Sequence, residues 1–438
     1  MEEKVPLIEE GKPPAAEKVS EPYPDEPLFA LMYLGFMGSV GITLMFQGIP
    51  LCGALLGERF GPAAFLVLSA SFYIGMFLIM WTKKGVSPFT RLHASGVCLG
   101  AIFFLTAFAE IYQVPFRLYL VLVLIGLAGF LTAVVILSAN EILFGCSLRA
   151  AIAYIASMAI PGLVMLPLKM LIQFGLDRAF PDSLEEARRP VSTLILLGLA
   201  TALAFGIVPV TYWGLQASSV VKERLAQLAD SDSRTDLHSK TYPQAIMDVW
   251  PHVLSLVLVE LGTGAIVPGI LFAWAPAEGA AWCPGGQWGY RELTLYVFGV
   301  FSMLGRPIVL LWTSAGVGAI LAGAVSRLVL IPVCVLVGTG LSILNKHWIK
   351  FLLVAVLGFS EGLLVILSFA VALATQLSQR DKITVGHIMQ VALLLGQLLG
   401  AGAWLGLDQI PNMAQLVTYA QECKIDSSAL RIVCDDDD

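Results

Sequence analysis

The chain has 438 residues, of which 57% are hydrophobic and 13% charged, and its formal net charge is -6. A soluble domain carries roughly twice that charged fraction, so the mean hydropathy of +0.81 indicates a polytopic membrane protein. The acidic balance and the lack of a basic block argue against a nucleic-acid partner. The scattered histidines and cysteines form no CxxC or HExxH pattern, so the sequence predicts no metal and no cofactor.

The apolar runs predict an all-α membrane protein. A transmembrane barrel alternates apolar and polar residues with period two, and runs such as 118–137 do not alternate. We predict eleven transmembrane helices in a six-plus-five arrangement, because a polar segment follows the sixth span. The predicted spans are residues 28–52, 61–81, 93–111, 118–144, 149–174, 191–213, 249–274, 293–312, 317–341, 351–374 and 385–407.

These spans divide the chain into two helical bundles with polar segments around them. The predicted domains are a disordered cytosolic arm (1–27), a six-helix bundle (28–214), a cytosolic linker loop (215–248), a five-helix bundle (249–408) and an extracytosolic acidic tail (409–438). The arm is polar and has no apolar core of a signal peptide. A slight excess of Lys and Arg on one side places the amino terminus in the cytosol.

Two terminal features bear on location and redox state. Glu3–Ile8 has the form of an acidic dileucine sorting signal, so an endosomal or vacuolar membrane stays open beside the plasma membrane. On the predicted topology, Cys283, Cys423 and Cys434 share the oxidising side of the membrane. One disulfide among them is open, and the sequence does not choose the pair.

Arg306 stands out because it lies inside the apolar run 293–312. A guanidinium remains charged, so it needs a water-filled cavity, a carboxylate or backbone carbonyls there, and it is a candidate site residue. Five further ionisable side chains lie inside predicted spans: Glu141, Glu260, Glu361, Lys169 and Arg327. They either pair to lock helices together or line a cavity, where a carboxylate binds a hydroxylated substrate or takes up a proton.

Several uncharged polar groups also fall within the spans: Gln47, Asn140, Ser302 and Ser360. An amide offers a donor and an acceptor, which suits the edge of a heterocyclic base, and Phe46 offers a ring on which a base stacks. Interhelical hydrogen bonding is the alternative role. No catalytic triad, carboxylate pair or phosphate-binding loop suggests an enzyme.

Four segments of the second half resemble motifs of the equilibrative nucleoside transporters. Phe298–Arg306 resembles the pattern Phe-Asn-x-Phe-Asp-x-x-Gly-Arg of the family's eighth span, and Arg327–Pro332 resembles Arg-Leu-x-Phe-x-Pro of the ninth. Gly358–Leu363 resembles Phe-Ser-Asn-Gly-Tyr of the tenth span. Trp250-Pro251, followed by Val267-Pro268-Gly269, resembles the seventh. The resemblance is strongest over residues 249–407.

The resemblance implies a major-facilitator-like fold and passage of purine-type nucleosides or nucleobases by alternating access. It implies a substrate pocket built from Phe46, Gln47, Asn140, Ser302 and Arg306. The family's eighth-span Asp is replaced by Ser302, so Arg306 lacks its neighbouring acid. We hypothesise that a glutamate from elsewhere takes that place. The candidates for this charge partner, or for proton coupling, are Glu141, Glu260 and Glu361.

The expected function is therefore a transporter of nucleosides or nucleobases, either facilitative or proton-linked, with a small-molecule substrate and the lipid bilayer as partners. The alternative is a major-facilitator-type carrier of another small metabolite. A membrane-embedded enzyme or receptor is the alternative of another class. It is disfavoured because no catalytic polar residues cluster near one membrane face and because the chain divides into two bundles. We expect the plasma membrane as the location.

Overall fold

The structure, a computed structural model, describes most of the helical core. The described residues are 70–78, 86–111, 116–144, 148–158, 160–180, 240–267, 286–310, 315–338, 346–376, 378–408, 423–426 and 431–434, with scattered positions in 67–69 and 191–226. The first predicted span, with Phe46 and Gln47, lies outside the described residues. Most of the second and sixth predicted spans lies outside them as well.

The first half contributes four helices with described bounds, besides a helical segment at residues 70–78. They are α1 (Pro88–Ile111), α2 (Arg117–Leu143), α3 (Leu148–Ser157) and α4 (Ile160–Ala179). The predicted spans at 93–111 and 118–144 match α1 and α2, which pack against each other. The span predicted at 149–174 is a broken helix, because α3 ends at Ser157 and α4 begins at Ile160. Pro161 lacks a backbone N–H, so it fits in the first turn of α4 but could not continue a helix from α3.

The second half contributes the remaining helices. They are α5 (Tyr242–Ala265), α6 (Gly286–Gly305), a 3₁₀ helix (Arg306–Leu310), α7 (Val317–Arg327), α8 (Leu330–Gly338), α9 (His347–Ala374) and α10 (Gln379–Asp408). Helices α5 and α10 pack together, as do α6 and α9, while α7 and α9 both contact α5.

Helix α5 begins earlier than its sequence predicts. The Gln244 side-chain oxygen accepts a hydrogen bond from the Thr241 backbone N–H at 3.0 Å, which caps the first turn. Pro243 fits in that turn because its missing N–H has no intrahelical partner there. The helix thus starts at Tyr242, within the segment predicted as the linker loop.

Prolines also set the two breaks near the buried arginines. Pro307 cannot donate a helical hydrogen bond, and α6 gives way at Arg306 to a 3₁₀ helix. Pro332 has the same effect between α7 and α8. There the Ile331 N–H donates to the Leu328 carbonyl at 3.1 Å, the carbonyl that residue 332 would otherwise serve. The span predicted at 317–341 is thus interrupted between α7 and α8, with Arg327 at the end of α7.

Glycines bring helices of the second half into backbone contact. A Cβ on Gly358 would collide with the Phe298 carbonyl oxygen, and one on Gly362 with the Ser302 carbonyl oxygen. The two contacts advance together, so α6 and α9 run parallel. In the same way, a Cβ on Gly396 would lie 2.5 Å from the Val257 carbonyl oxygen, at the contact between α10 and α5. These small residues act as they do in membrane helix pairs, where they allow close approach.

The described helices are those of a multi-pass membrane protein. Within the described residues, 6 helices are long and apolar enough to cross a membrane, and they are Pro88–Ala109, Tyr119–Leu143, Tyr242–Ala265, Val317–Val337, His347–Ala374 and Arg380–Ala403. The total of eleven spans therefore stays a prediction.

The tail carries a short antiparallel ribbon beyond the helices. Strand β1 (Cys423–Asp426) pairs with β2 (Arg431–Cys434), and the register sets Cys423 opposite Cys434. Cys283, the third cysteine of the predicted disulfide set, lies outside the described residues.

The close contact at Gly362 predicts a sharp difference between two alanine substitutions. Gly362→Ala should lower the stability by about 1–3 kcal/mol, because the added methyl group overpacks the α6–α9 contact. Gly318→Ala on α7 is the control, since a Cβ there meets nothing within 4 Å. Its melting temperature in detergent should stay the same or rise, by helix propensity alone. Equal melting temperatures for the two variants would contradict this packing.

Candidate functional site

Arg306 joins the two halves of the chain. It starts the 3₁₀ helix after α6, and its Nη1 donates to the Ile155 carbonyl at 2.6 Å and to the Ala156 carbonyl at 3.4 Å. Both carbonyls belong to the last turn of α3, and the Ile155 carbonyl also accepts a hydrogen bond from the Met158 backbone N–H at 3.3 Å. The guanidinium of the second half is therefore held by backbone oxygens of the first.

Glu361 on α9 is the carboxylate partner of Arg306. The Arg306 Nη2 lies 3.4 Å from the Glu361 Oε1, and the Ser302 hydroxyl donates to the Oε2 of the same side chain. Glu361 and Ser302 meet because neighbouring Gly362 lets α9 approach the backbone of α6. Among the three candidate glutamates, Glu361 is the one that lies beside the arginine.

Arg306, Glu361 and Ser302, which we call the Arg306 group, are almost closed off from solvent. Arg306, Glu361 and Ser302 are 8%, 6% and 3% exposed, respectively. Removing two ionised groups from water is costly, and an ion pair with additional hydrogen bonds offsets much of that cost. The arrangement presents donor hydrogens and acceptor oxygens in one place, so it can bind a ligand that carries both.

A second polar contact lies where α2 ends and α10 begins. The Arg91 Nη2 lies 2.5 Å from the Glu141 Oε2, and the His387 Nε2 of α10 lies 4.0 Å from the Glu141 Oε1. Phe144, at the end of α2, fills the space beside Gly386 so closely that a Cβ on that glycine would collide with its ring. The two halves thus meet at this end, which we call the Glu141 end.

Lys240 belongs to the same end of the molecule. Its Nζ donates to the Gln376 side-chain oxygen at 3.2 Å, and its backbone N–H donates to the Asp381 Oδ1 at 3.3 Å. The segment before α5 is thereby fixed to the turn between α9 and α10. Helices α1, α5 and α10 all begin at the Glu141 end, and α2 and α9 finish there.

Tyr73 forms a further hydrogen bond between the halves, since its hydroxyl donates to the Val391 carbonyl of α10 at 3.3 Å. The two halves are therefore linked through Arg306, Glu141 and Tyr73.

Asn140 is placed apart from the Arg306 group. It is fully buried on α2, one turn before Phe144, and the described residues give neither its amide oxygen nor its amide nitrogen a hydrogen-bond partner. The hydroxyl of Tyr154 on α3 is also buried, and the described residues give it no hydrogen-bond partner. Tyr154 packs edge-on against Phe144, with ring centroids 6.5 Å apart. Among the described residues, no hydrogen bond joins the Asn140 side chain to Ser302 or Arg306, so the predicted pocket stays a prediction.

Arg327 forms a separate clamp inside the second half. Its guanidinium donates to the Val259 carbonyl, to the Thr263 hydroxyl at 2.9 Å, to the Ser360 hydroxyl at 3.0 Å and to the Leu357 carbonyl at 3.0 Å. These neutral oxygens come from α5 and α9, so Arg327 locks those helices to the break after α7. This structural role is one of the two that the sequence left open.

Sequence reasoning missed several residues of these contacts. Arg91 precedes the predicted start of its span and was counted as a loop charge. Ile155 and Ala156 contribute backbone oxygens, which no side-chain pattern can show. Tyr154 and His387 lie inside apolar stretches, where their polar groups were the only available signal.

Solved structures with this architecture are major facilitator transporters. The crystal structure of the transporter FucP in the outward conformation matches 90% of this chain and 95% of its own at 14% identity, with a TM-score of 0.58. A second structure, of the E. coli fucose:proton symporter FucP, covers 89% of this chain and 94% of that one at 15% identity, with a TM-score of 0.53. The proton:xylose symporter XylE bound to 6-bromo-6-deoxy-D-glucose covers 91% and 92% at 10% identity, with a TM-score of 0.61.

The predicted major-facilitator-like, all-α membrane fold is confirmed by these matches. Identities at this level show the fold and carry no substrate with them. No protein-family model matches the chain, and no curated protein matches it in sequence. The resemblance to the equilibrative nucleoside transporters therefore stays a prediction.

The Arg306–Glu361 pair predicts a strong energetic coupling. Glu361→Gln leaves the buried guanidinium without a counter-charge and should cost about 3–5 kcal/mol. Adding Arg306→Met to that variant should recover much of the loss, because the unpaired charge is removed with it. Melting temperatures of both single variants and the double variant measure this coupling.

Lys240 and Asp248 supply the control for this cycle. Their side chains are 37% and 46% exposed and lie 2.7 Å apart. Water screens such a pair, so the Lys240→Ala and Asp248→Ala cycle should give a coupling of only about 0–1 kcal/mol. Additive effects at Arg306 and Glu361 would show that the two side chains do not interact in the membrane.

Proposed function

We propose that this protein carries a small, neutral, hydroxylated solute across a membrane by alternating access. The observation that carries the proposal is the buried Arg306, which pairs with Glu361 inside one half and donates to Ile155 of the other. A permanent charge at membrane depth costs free energy, and an ionisable residue there is a functional-site candidate by default. The major facilitator architecture supports the same function, because its neighbours are transporters.

The chemistry of the Arg306 group favours a hydroxylated ligand. The guanidinium donates hydrogen bonds, and the Glu361 carboxylate accepts them, so two neighbouring hydroxyl groups can be bound at once. The opposite charges cancel, which favours a neutral ligand over an ion. Fucose and xylose, for which the symporters FucP and XylE are named, are such compounds, and so is the ribose part of a nucleoside.

This substrate class favours a general carrier of small metabolites over a dedicated purine carrier as the function. A nucleoside remains a member of the class through its ribose, in line with the resemblance to the equilibrative nucleoside transporters. A free nucleobase has no hydroxyl pair, so the proposal excludes it as the main substrate. Asn140 and Tyr154 supply buried polar groups that a bound solute can satisfy as the bundles move.

The contacts at the Glu141 end support a conformation that is closed on that side. With the predicted cytosolic amino terminus, the Glu141 end faces the cytosol. Transport then requires the links through Glu141 and Tyr73 to break while contacts form at the opposite end. A packed interface with two discrete arrangements suits such rocking. We propose the plasma membrane as the site of this transport.

Uptake into proteoliposomes tests the proposal. Fucose, xylose, adenosine and hypoxanthine are offered separately as radiolabelled solutes. We expect saturable uptake of at least one hydroxylated solute, and loss of it in Arg306→Ala, because the ligand's donors are removed. Arg178→Ala is the control, since Arg178 lies exposed at the end of α4.

The four solutes separate the alternatives. Uptake of hypoxanthine alone would favour a nucleobase carrier and overturn the substrate class. Equal uptake by wild type and Arg306→Ala would remove Arg306 from the site. No uptake of any hydroxylated solute, by protein shown to be folded in the vesicles, would contradict the proposal.

A further inference from the structure

Glu260 is the most buried of the three candidate glutamates. It lies on α5 and is 1% exposed. Its Oε2 accepts a hydrogen bond from the Gln397 amide of α10 at 2.9 Å. The glycine at 396 lets α10 lie directly over the side chain, since a Cβ there would be 2.7 Å from the Glu260 Cβ. The carboxyl group is therefore enclosed between two helices with a neutral donor.

The other two glutamates have cations beside them. Glu141 lies 2.5 Å from Arg91, and Glu361 lies 3.4 Å from Arg306. Within the described part of the chain, no Lys, Arg or His side chain comes within 4 Å of the Glu260 carboxyl group. Burying a carboxylate without an adjacent cation costs free energy, and uptake of a proton removes that cost.

Helix geometry keeps the nearest arginine away from Glu260. Arg327 donates to the Val259 carbonyl and to the Thr263 hydroxyl, which lie one turn apart on one side of α5. Glu260 is rotated about 100° from Val259 on an α-helix and faces α10 instead. The clamp that locks α5 to α7 therefore forms no salt bridge with this carboxyl group, and Arg327 attracts its ionised form only from a longer distance.

The charged surroundings of Glu260 come from several packed elements. Glu361 acts on it from α9, Arg327 from the end of α7 and Arg306 from the 3₁₀ helix. The buried thiol of Cys334 on α8 lies near Arg327. Helix α10 contributes the neutral amide of Gln397. The titratable group of α10 nearest to Gln397 is His387, which lies about 15 Å closer to the start of that helix. Asp248 and His252 on α5 itself lie two or more turns before Glu260.

We propose that Glu260 is the proton-carrying residue of a solute:proton symporter. The inference rests on the proposed function and extends it, since it adds a second transported species and its site. In the cycle, the carboxylate takes up a proton from the side to which the carrier is open and becomes a neutral acid. After the bundles rock, the acid releases that proton to the other side, and the proton gradient drives the solute with it.

The Arg306 group gives the two transported species a physical link. Glu361 repels the ionised form of Glu260, and Arg306 attracts it. When a solute takes up hydrogen bonds of Arg306 and Glu361, the field at Glu260 changes, and its affinity for a proton changes with it. By linkage, protonation alters the affinity for the solute to the same degree.

Two assays on the same proteoliposomes test the inference. The first measures exchange of labelled for unlabelled fucose, xylose or adenosine at equal pH on both sides, which needs no net proton movement. The second measures accumulation of that solute under an imposed pH gradient, together with solute-dependent proton entry reported by a trapped pH dye. We expect both activities in wild type. In Glu260→Gln we expect exchange to persist and both accumulation and proton entry to be lost.

The outcomes distinguish this inference from the function on which it rests. A wild type that exchanges no solute would contradict the proposed carrier. A wild type that exchanges solute without proton entry would overturn symport and leave the carrier standing. Proton entry that persists in Glu260→Gln would assign the proton to another group.

A second variant decides the case in which Glu260→Gln also loses exchange. Gln397→Leu keeps the carboxyl group and removes the donor that stabilises its ionised form. The pH at which accumulation is half-maximal should then move upward, because the neutral acid gains relative to the carboxylate. An unchanged pH profile in this variant would overturn the role of Glu260.

Discussion

The permanent charge of Arg306 is the constraint on which the rest of the site depends. A guanidinium cannot escape burial by losing its proton, so the fold must supply oxygen atoms around it. It does so from both halves of the chain, through Glu361 on one side and the Ile155 carbonyl on the other. Any motion that parts the halves must replace those bonds, and a solute with hydroxyl groups is suited to do so.

The backbone breaks and the glycines make this arrangement available. The break before α4 ends α3 beside Arg306, and Pro307 places Arg306 at the change from α6 to the 3₁₀ helix. Gly362 lets α9 come close enough for the Glu361 carboxylate to accept a hydrogen bond from the Ser302 hydroxyl. The same sequence features that weaken regular helices therefore create the polar centre between them, as broken helices do at the midplane of many transporters.

Much of the fold follows from the sequence, and less of the site does. Long apolar runs locate α2 and α9, and the buried ionisable residues can be read from the same pattern. The apolar character continues through the breaks before α4 and before α8, so Pro161 and Pro332 are their signal in the sequence. The choice of Glu361 as the partner of Arg306 required coordinates, because ion pairing depends on the register of α9 against α6. Backbone ligands such as the Ile155 carbonyl leave no trace in a side-chain pattern.

Distances across the two ends of the molecule test the central claim of rocking bundles most directly. Spin labels introduced as non-native residues at Val86 and Met247 report on the Glu141 end, and labels at Tyr119 and Trp348 report on the opposite end. All four positions are exposed, so the labels should not disturb packing. On addition of a transported solute, the account predicts that one distance grows while the other shrinks. Two distances that stay fixed, or that change in the same direction, would contradict it.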